Sequence, residues 1–229
     1  MAFFFTRIVR NIIFIVLFFN AAQYYMRWKA YTVTVKDFKA LSTKSADQNP
    51  LSAASRFTSE IRRRYPQHIP SELHWVPVSA GGMHLKVQFL YGDLTEYVAL
   101  WSSVGQTSGR SGFHWVNSTC TVLSGELGRV SDSLNTPVKE TFTQGQNFRH
   151  AQYESYVYFL NENTLLACYG RGFMPVSSIW TSTGALANGD LFNWLKLNYA
   201  YGRLMFDGLT RNFHETYDYV KKKATKMEL

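Results

Sequence analysis

The chain is poor in cysteine, in charged residues and in metal-ligand patterns. Its 229 residues include only two cysteines, Cys120 and Cys168, which cannot form a framework of several disulfides or a zinc site. The six histidines show neither HxH nor HxxxH spacing, so the sequence predicts no metal site and no cofactor. Charged residues make up 17% of the chain, below the quarter that is usual in soluble domains. This shortage predicts a domain that is partly covered by lipid or by other subunits.

The charge is basic, with a formal net charge of +8. A basic balance suits nucleic acid, anionic lipid or acidic proteins as partners. The densest basic runs are 62–64 and 221–223, and neither belongs to a motif that binds RNA or DNA. We therefore interpret both runs as solvated helix faces and expect no nucleic-acid partner.

The N-terminal region is the most apolar part of the chain. Residues 12–19 read IIFIVLFF, and extending this run to Tyr25 gives about the 20 residues that a bilayer crossing needs. A cleaved signal peptide is the alternative, but bulky aromatic residues soon follow the small pair at 21–22, which makes a poor cleavage site. The sequence predicts an uncleaved, single-pass membrane anchor over residues 1–30. Basic residues flank both ends, so the orientation is not decided.

Hydrophobic periodicity divides the rest of the chain into three segments. Residues 31–73 have apolar residues at helical spacing and form a helical segment that leads into the next region. Residues 74–175 contain short alternating or apolar runs separated by turn residues, which predicts a β-barrel or sandwich. Residues 176–229 become helical again, with aromatic-rich amphipathic faces that lie in a membrane interface or cover the barrel. The predicted fold class is α+β.

Several stretches, in collinear order, carry a resemblance to a known family. They are SEIRRRYPQHIPSELHW (59–75), AGG (80–82), LTEYVAL (94–100), GRSGFHW (109–115), TVLSG (121–125), ACYGRGFMP (167–175) and NYAYGRL (198–204). The chain resembles the sigma-1 receptor and the fungal C-8 sterol isomerases. The resemblance implies an N-terminal transmembrane helix, a cupin-like β-barrel and C-terminal amphipathic helices lying against the membrane. It also implies an enclosed apolar pocket for sterol-like or cationic amphiphilic ligands.

The resemblance places Cys120 and Cys168 at the positions of the family's two working carboxylates. Moving a sterol double bond requires one group to protonate an alkene carbon and another to remove a neighbouring proton, and buried carboxyls can divide these roles. A thiol has a pKa of about 8.5, which apolar burial raises, so it is too weak an acid and offers an amine no counter-charge. We therefore predict a degenerate pocket without catalytic residues. Tyr97 matches the tyrosine that orients the second carboxylate.

The two cysteines leave three interpretations open. They are inert buried thiols, a disulfide across neighbouring strands, or a catalytic thiol. A disulfide between Cys120 and Cys168 would require an oxidising compartment. A catalytic thiol would need a basic partner, and His114 would lie about 20 Å from Cys120 on a straight strand.

Another acidic residue could in principle replace the lost carboxylates. The glutamates nearest to the relevant strands are Glu96, Glu126 and Glu154. In the pattern of the family that the chain resembles, Glu96 and Glu154 match positions outside the pocket, and Glu126 follows a strand end.

We favour the first of three functions. The first is a non-catalytic accessory or scaffold subunit of a membrane protein complex, for which a mitochondrial respiratory complex is a candidate host. The second is a receptor or carrier that binds a neutral lipid or sterol in the barrel, and the third is an isomerase with relocated acid and base groups. The expected partners are membrane lipid, other membrane protein subunits and a sterol or lipid in the barrel. The expected location is the mitochondrial inner membrane or the endoplasmic reticulum membrane.

Overall fold

The computed structural model describes residues 2–112, 114–131 and 138–227, and the chain divides into compact units at residues 1–32 and 33–229. The first unit contains helix α1 (Ala2–Trp28). Within it, Thr6–Trp28 is long and apolar enough to cross a membrane, with a mean hydropathy of 1.4. Its apolar side chains are exposed, as a lipid-facing helix requires. The prediction of one apolar N-terminal helix is confirmed.

Two helices open the second unit, α2 (Val35–Lys44) and α3 (Pro50–Arg64). Each begins at a residue whose side chain accepts a backbone hydrogen bond from the first turn, Thr34 for α2 and Asn49 for α3. Both helices pack on one face of the larger sheet. Their buried apolar residues are Phe38, Ala53, Phe57 and Ile61.

The strands of the described residues form two antiparallel sheets. Their bounds are β1 (Val76–Ala80), β2 (Met83–Gly92), β3 (Glu96–Ser103), β4 (Thr107–Arg110), β5 (Val116–Ser124), β6 (Glu126–Ser131), β7 (Lys139–Thr143), β8 (Asn147–His150), β9 (Tyr156–Leu160) and β10 (Leu165–Gly172). The larger sheet has the order β1-β2-β3-β10-β5-β8, and the smaller has the order β4-β9-β6-β7.

The two sheets share an apolar core that the central strand β10 helps to build. Leu166 and Cys168 of β10 lie in this core with residues of the smaller sheet, such as Leu160. The alternate residues Ala167 and Tyr169 pack on the opposite face with α2 and α3. Both faces of β10 are therefore buried, which explains why its sequence is apolar almost without interruption.

The second unit ends in two helices, α4 (Met174–Ala187) and α5 (Leu191–Met227). They pack near β1, where Leu197 of α5 joins a buried cluster with Val78 and Val87. Helices after a region of antiparallel strands confirm the predicted α+β class.

The YGRG stretch ties the start of the second unit to the larger sheet. The Tyr169 hydroxyl donates to the carbonyl oxygen of Val33. The Arg171 guanidinium donates to that hydroxyl and, over 2.8 Å, to the same carbonyl. The carboxylate of the fully buried Glu96 lies 3.1 Å from the Tyr169 hydroxyl. Arg171 thus has a structural role here.

Candidate functional site

A cavity of about 380 Å³ lies between the two sheets, and α4 and α5 contribute to its wall. Most of the lining is aromatic or aliphatic, including Leu85, Phe89, Trp101, Phe148, Leu166 and Trp180. Among the lining residues that the structure describes, none is Asp, Glu, Lys or Arg. Such a surface suits an apolar ligand without formal charge.

Cys120 on β5 and Cys168 on β10 lie opposite each other in the cavity wall. The strand register pairs them directly, and their sulfur atoms form a disulfide with an S–S distance of 2.06 Å. Both residues are buried and line the cavity. A disulfide carries no ionisable proton, so in this state neither position can serve as an acid, a base or a counter-ion.

Tyr97 enters the same cavity from β3. Its ring lies against Gly170 of β10, where an added Cβ would come within 2.1 Å of the ring, so only glycine leaves room for it. Its hydroxyl lies 3.2 Å from the Ser118 hydroxyl. Burial raises the pKa of Tyr97, which keeps the phenol neutral. With cysteine at position 168, Tyr97 contacts a neutral hydroxyl in this cavity and has no carboxylate there to orient.

The three glutamates that could have replaced the lost carboxylates lie outside the cavity lining. Glu96 points to the opposite face of β3 from Tyr97 and accepts a hydrogen bond from Tyr91. Glu154 accepts one from Tyr156 over 3.0 Å. Glu126 is exposed at the start of β6.

Two histidines that are far apart in the sequence lie next to each other in the cavity wall. His114, just before β5, and His150, at the end of β8, both line the cavity, and their ring centroids are 5.5 Å apart. The pairing of β5 with β8 brings these regions together, with Ser118 opposite His150. Because His114 precedes β5, the straight-strand estimate of its distance from Cys120 does not apply. No signal in the sequence indicated the pair, since it depends on strand register.

Hydrogen bonds fix the neutral tautomers of both histidines. His150 Nε2 donates over 2.9 Å to the carbonyl oxygen of Glu154, so its Nδ1 accepts the hydrogen bond of the Tyr158 hydroxyl. His114 Nε2 donates to the carbonyl oxygen of Ser111, which leaves Nδ1 as an acceptor. Burial, with a smaller effect of the neighbouring His150, lowers the pKa of His114 to about 4. Burial also lowers the pKa of His150, so both rings are neutral near pH 7.

Solved structures resemble parts of the chain. An RmlC-like cupin from Shewanella frigidimarina gives a TM-score of 0.38 at 16% identity, covering 44% of this chain and 85% of that protein. KdgF from Halomonas sp. gives a TM-score of 0.38 at 12% identity, covering 46% and 93%.

Two known proteins are similar to this chain in sequence. Sigma non-opioid intracellular receptor 1 of Danio rerio is 35% identical over 155 residues, which is 67% of this chain and 69% of the relative. The protein of the same name from Taricha granulosa is 32% identical over 149 residues, 64% of this chain and 66% of the relative. The chain thus spans about two thirds of these relatives. The family described as "ERG2 and Sigma1 receptor like protein" matches residues 9–212. With a match over nearly its whole length, the chain belongs to the ERG2 and sigma-1 receptor-like family.

Proposed function

We propose that this chain is a non-catalytic membrane protein of its family that binds a neutral, mostly apolar ligand in the barrel. The observation that supports this is the Cys120–Cys168 disulfide in the cavity wall, at the positions where the resemblance places two carboxylates. The titratable groups of the described lining are histidines and tyrosines. Neutral imidazoles and phenols with raised pKa values are too weak as acids to protonate an alkene carbon, which argues against isomerase activity.

The cavity favours uncharged head groups over cationic ones. Its volume falls within the range of about 300–1,000 Å³ that is typical of small-molecule sites. An ammonium group placed there would lose its hydration without gaining a counter-ion from the described lining. A neutral sterol or lipid meets no such penalty.

The first test compares two probes with the same tail, dodecanol and dodecylammonium. Detergent-solubilised full-length chain is expected to bind dodecanol at least about 100-fold more tightly at pH 7. A primary amine with a pKa near 10.4 must lose its proton to enter, and only about one molecule in 2,500 is neutral at that pH. The change in tryptophan fluorescence on binding measures both affinities, because Trp101 and Trp180 line the cavity and sense the change in its polarity.

Two matched variants complete this test. The pair Cys120→Asp and Cys168→Glu restores carboxylates and should bind dodecylammonium tightly. The pair Cys120→Ala and Cys168→Ala removes the disulfide without adding charge and should keep the preference for dodecanol. Equal affinity of the natural chain for both probes would contradict the neutral-ligand proposal, and so would a failure to bind either one.

A second candidate function is an accessory or scaffold subunit of a membrane protein complex. Helix α5 favours it, because large apolar side chains on this helix are exposed: Leu191, Phe192, Leu195, Tyr199, Phe206 and Leu209. A surface of this kind requires a cover of lipid or of another subunit. A mitochondrial respiratory complex is a candidate host, in keeping with the net charge of +8 and the low share of charged residues.

Native electrophoresis of digitonin-solubilised membranes tests the subunit role. A subunit is expected to migrate in an assembly far larger than a small homo-oligomer and to co-purify with the same partners after a second detergent. Migration as a lone small oligomer would contradict this role while leaving ligand binding intact.

The disulfide also supports a location. Disulfides persist in oxidising compartments, which suits a barrel in the lumen of the endoplasmic reticulum or in the mitochondrial intermembrane space. Residues 1–30 would anchor the chain in the corresponding membrane. Fractionation against markers of the two organelles, with protease protection of the barrel, distinguishes these alternatives.

A further inference from the structure

One tripeptide of the sequence matches the acceptor pattern for N-linked glycosylation, Asn-X-Ser/Thr. Residues 117–119 read NST, and no other asparagine of the chain has serine or threonine two positions later. The tripeptide lies at the start of β5, whereas acceptors of this kind normally lie in surface loops. A strand can serve only if the folded barrel leaves the asparagine side chain outside.

The Asn117 side chain lies on the outer face of the larger sheet. Side chains alternate along a strand, so Asn117 and Thr121 lie on the face opposite the cavity-lining Cys120. Exposure increases along this outer face, from Thr121, which is buried against Ser42 of α2, through the half-buried Thr119 to the exposed Asn117. Helix α2 thus covers the outer face of β5 at Thr121 and leaves it open at Asn117.

Two hydrogen bonds fix the orientation of the Asn117 amide. Its Oδ1 accepts from the Arg149 guanidinium over 3.1 Å and from the backbone nitrogen of Gln152 over 3.2 Å. Both partners can only donate, so the amide oxygen must face them. The amide nitrogen, which makes no hydrogen bond within the residues that the structure describes, is on the free side of the group. A glycan is attached to this nitrogen and leaves the oxygen as an acceptor, so both hydrogen bonds are compatible with it.

The neighbouring disulfide supports the compartment that this modification requires. Cys120 lies just after the tripeptide and is oxidised, and disulfides persist in compartments such as the lumen of the endoplasmic reticulum. That lumen is also where lipid-linked oligosaccharide is transferred to asparagine. In the folded barrel the backbone of residues 117–119 is paired with β10, so the transfer must precede the pairing of these strands.

We propose that Asn117 is an N-glycosylation site and that the barrel lies in the lumen of the endoplasmic reticulum. In the transfer, a C–N bond forms between Nδ2 and the anomeric carbon of an oligosaccharide carried on a polyprenyl diphosphate. The C–O bond between that carbon and the diphosphate breaks, the lipid diphosphate leaves, and Nδ2 loses one proton. The inference rests on the luminal one of the two locations proposed above and is independent of the ligand in the cavity.

A glycan at Asn117 also limits where partners bind. It is bulky and hydrophilic and has to stay in water, so the open part of the outer face cannot lie against lipid or form a subunit interface. A partner subunit would have to bind elsewhere, for example at the exposed apolar side chains of α5.

Removal of the glycan by a peptide-N-glycosidase tests the site. The full-length chain, extracted from the membranes of a eukaryotic cell that expresses it, is expected to gain mobility in denaturing electrophoresis after this treatment. The enzyme converts the glycosylated asparagine to aspartate, so in heavy-oxygen water mass spectrometry should find the label at residue 117 alone. Asn117→Gln and Thr119→Ala should each abolish the shift. Thr119→Ser keeps the acceptor pattern and should keep the shift.

Asn163→Ser provides the matched control, because it creates the acceptor pattern at Asn161 in the exposed turn between β9 and β10. This variant should carry a second glycan and show a larger shift. A natural chain without a glycan would overturn the inference, and the control then gives the reason. A glycan at Asn161 alone would mean that the barrel is luminal but Asn117 is passed over, and none at either position would mean that the barrel lies outside the lumen. Neither result changes the proposed binding of a neutral ligand, which the affinities for dodecanol and dodecylammonium test separately.

Discussion

Removing the Cys120–Cys168 disulfide is expected to lower the free energy of unfolding by about 4 kcal/mol. The bridge joins residues 48 positions apart in the sequence. In the chain-entropy model, a cross-link stabilises the folded chain by about 3 kcal/mol when it closes a 15-residue loop and by about 4.7 kcal/mol when it closes a 100-residue loop. The loop closed here lies between these two lengths. Urea unfolding of the detergent-solubilised chain, with and without a phosphine reductant, measures the difference.

The alanine pair at positions 120 and 168 provides the control. It should unfold at lower urea than the oxidised natural chain, and the reductant should not change its midpoint. Alkylation before and after reduction counts the free thiols independently. If both cysteines react without reduction once the chain is unfolded in urea, and the reductant leaves the midpoint unchanged, the disulfide is absent and the interpretation as inert thiols holds.

Acidification from pH 7 to pH 4 is expected to cost about 3 kcal/mol of stability through His114 alone. Burial lowers the pKa of this ring from 6.5 to about 4 in the folded chain, so the unfolded chain takes up the proton first. The stabilisation is therefore complete well above pH 6.5 and is lost as the pH falls towards 4. Each unit of pKa difference corresponds to about 1.4 kcal/mol. His150 adds a loss in the same direction.

His114→Gln isolates this contribution. The pKa of Asp37 and of Glu154 is lowered in the folded chain, so these carboxylates also lose stabilisation on acidification. They are present in both proteins, and the difference between the two pH profiles reports His114. The variant should lose about 3 kcal/mol less between pH 7 and pH 4. Parallel profiles would mean that His114 is protonated as easily in the folded chain as in the unfolded one.

The order of the segments could be predicted from the sequence because each leaves a local signal. The apolar run before Tyr25 predicts α1, and the change from helical spacing to short alternating runs predicts the strands. The resemblance placed Cys120 and Cys168 where a ligand would lie, and the register of β5 and β10 puts them opposite each other. For these features, local pattern and motif order carried enough information.

The polar part of the cavity could not be predicted in this way. His114 and His150 are brought together by the pairing of β8 with β5, and nothing in either neighbourhood specifies that register. Ser177 stands between Val176 and Ser178 near the start of α4, and only the packing of that helix on the sheets shows that its hydroxyl is buried without a partner in the described part of the chain. Groups like these depend on contacts between segments distant in the chain.

The bridge between β5 and β10 would also limit how a bound molecule exchanges. Two hydrogen-bonded strands can part locally by thermal opening, but a covalent cross-link keeps this pair together at the middle of the larger sheet. A molecule that enters or leaves the interior must therefore pass elsewhere. The helices α4 and α5, which supply much of the remaining wall, contain no cysteine and carry no such cross-link to the strands. The oxidised sulfur pair thus fixes the strand side of the cavity wall covalently, and the helical side has no such constraint.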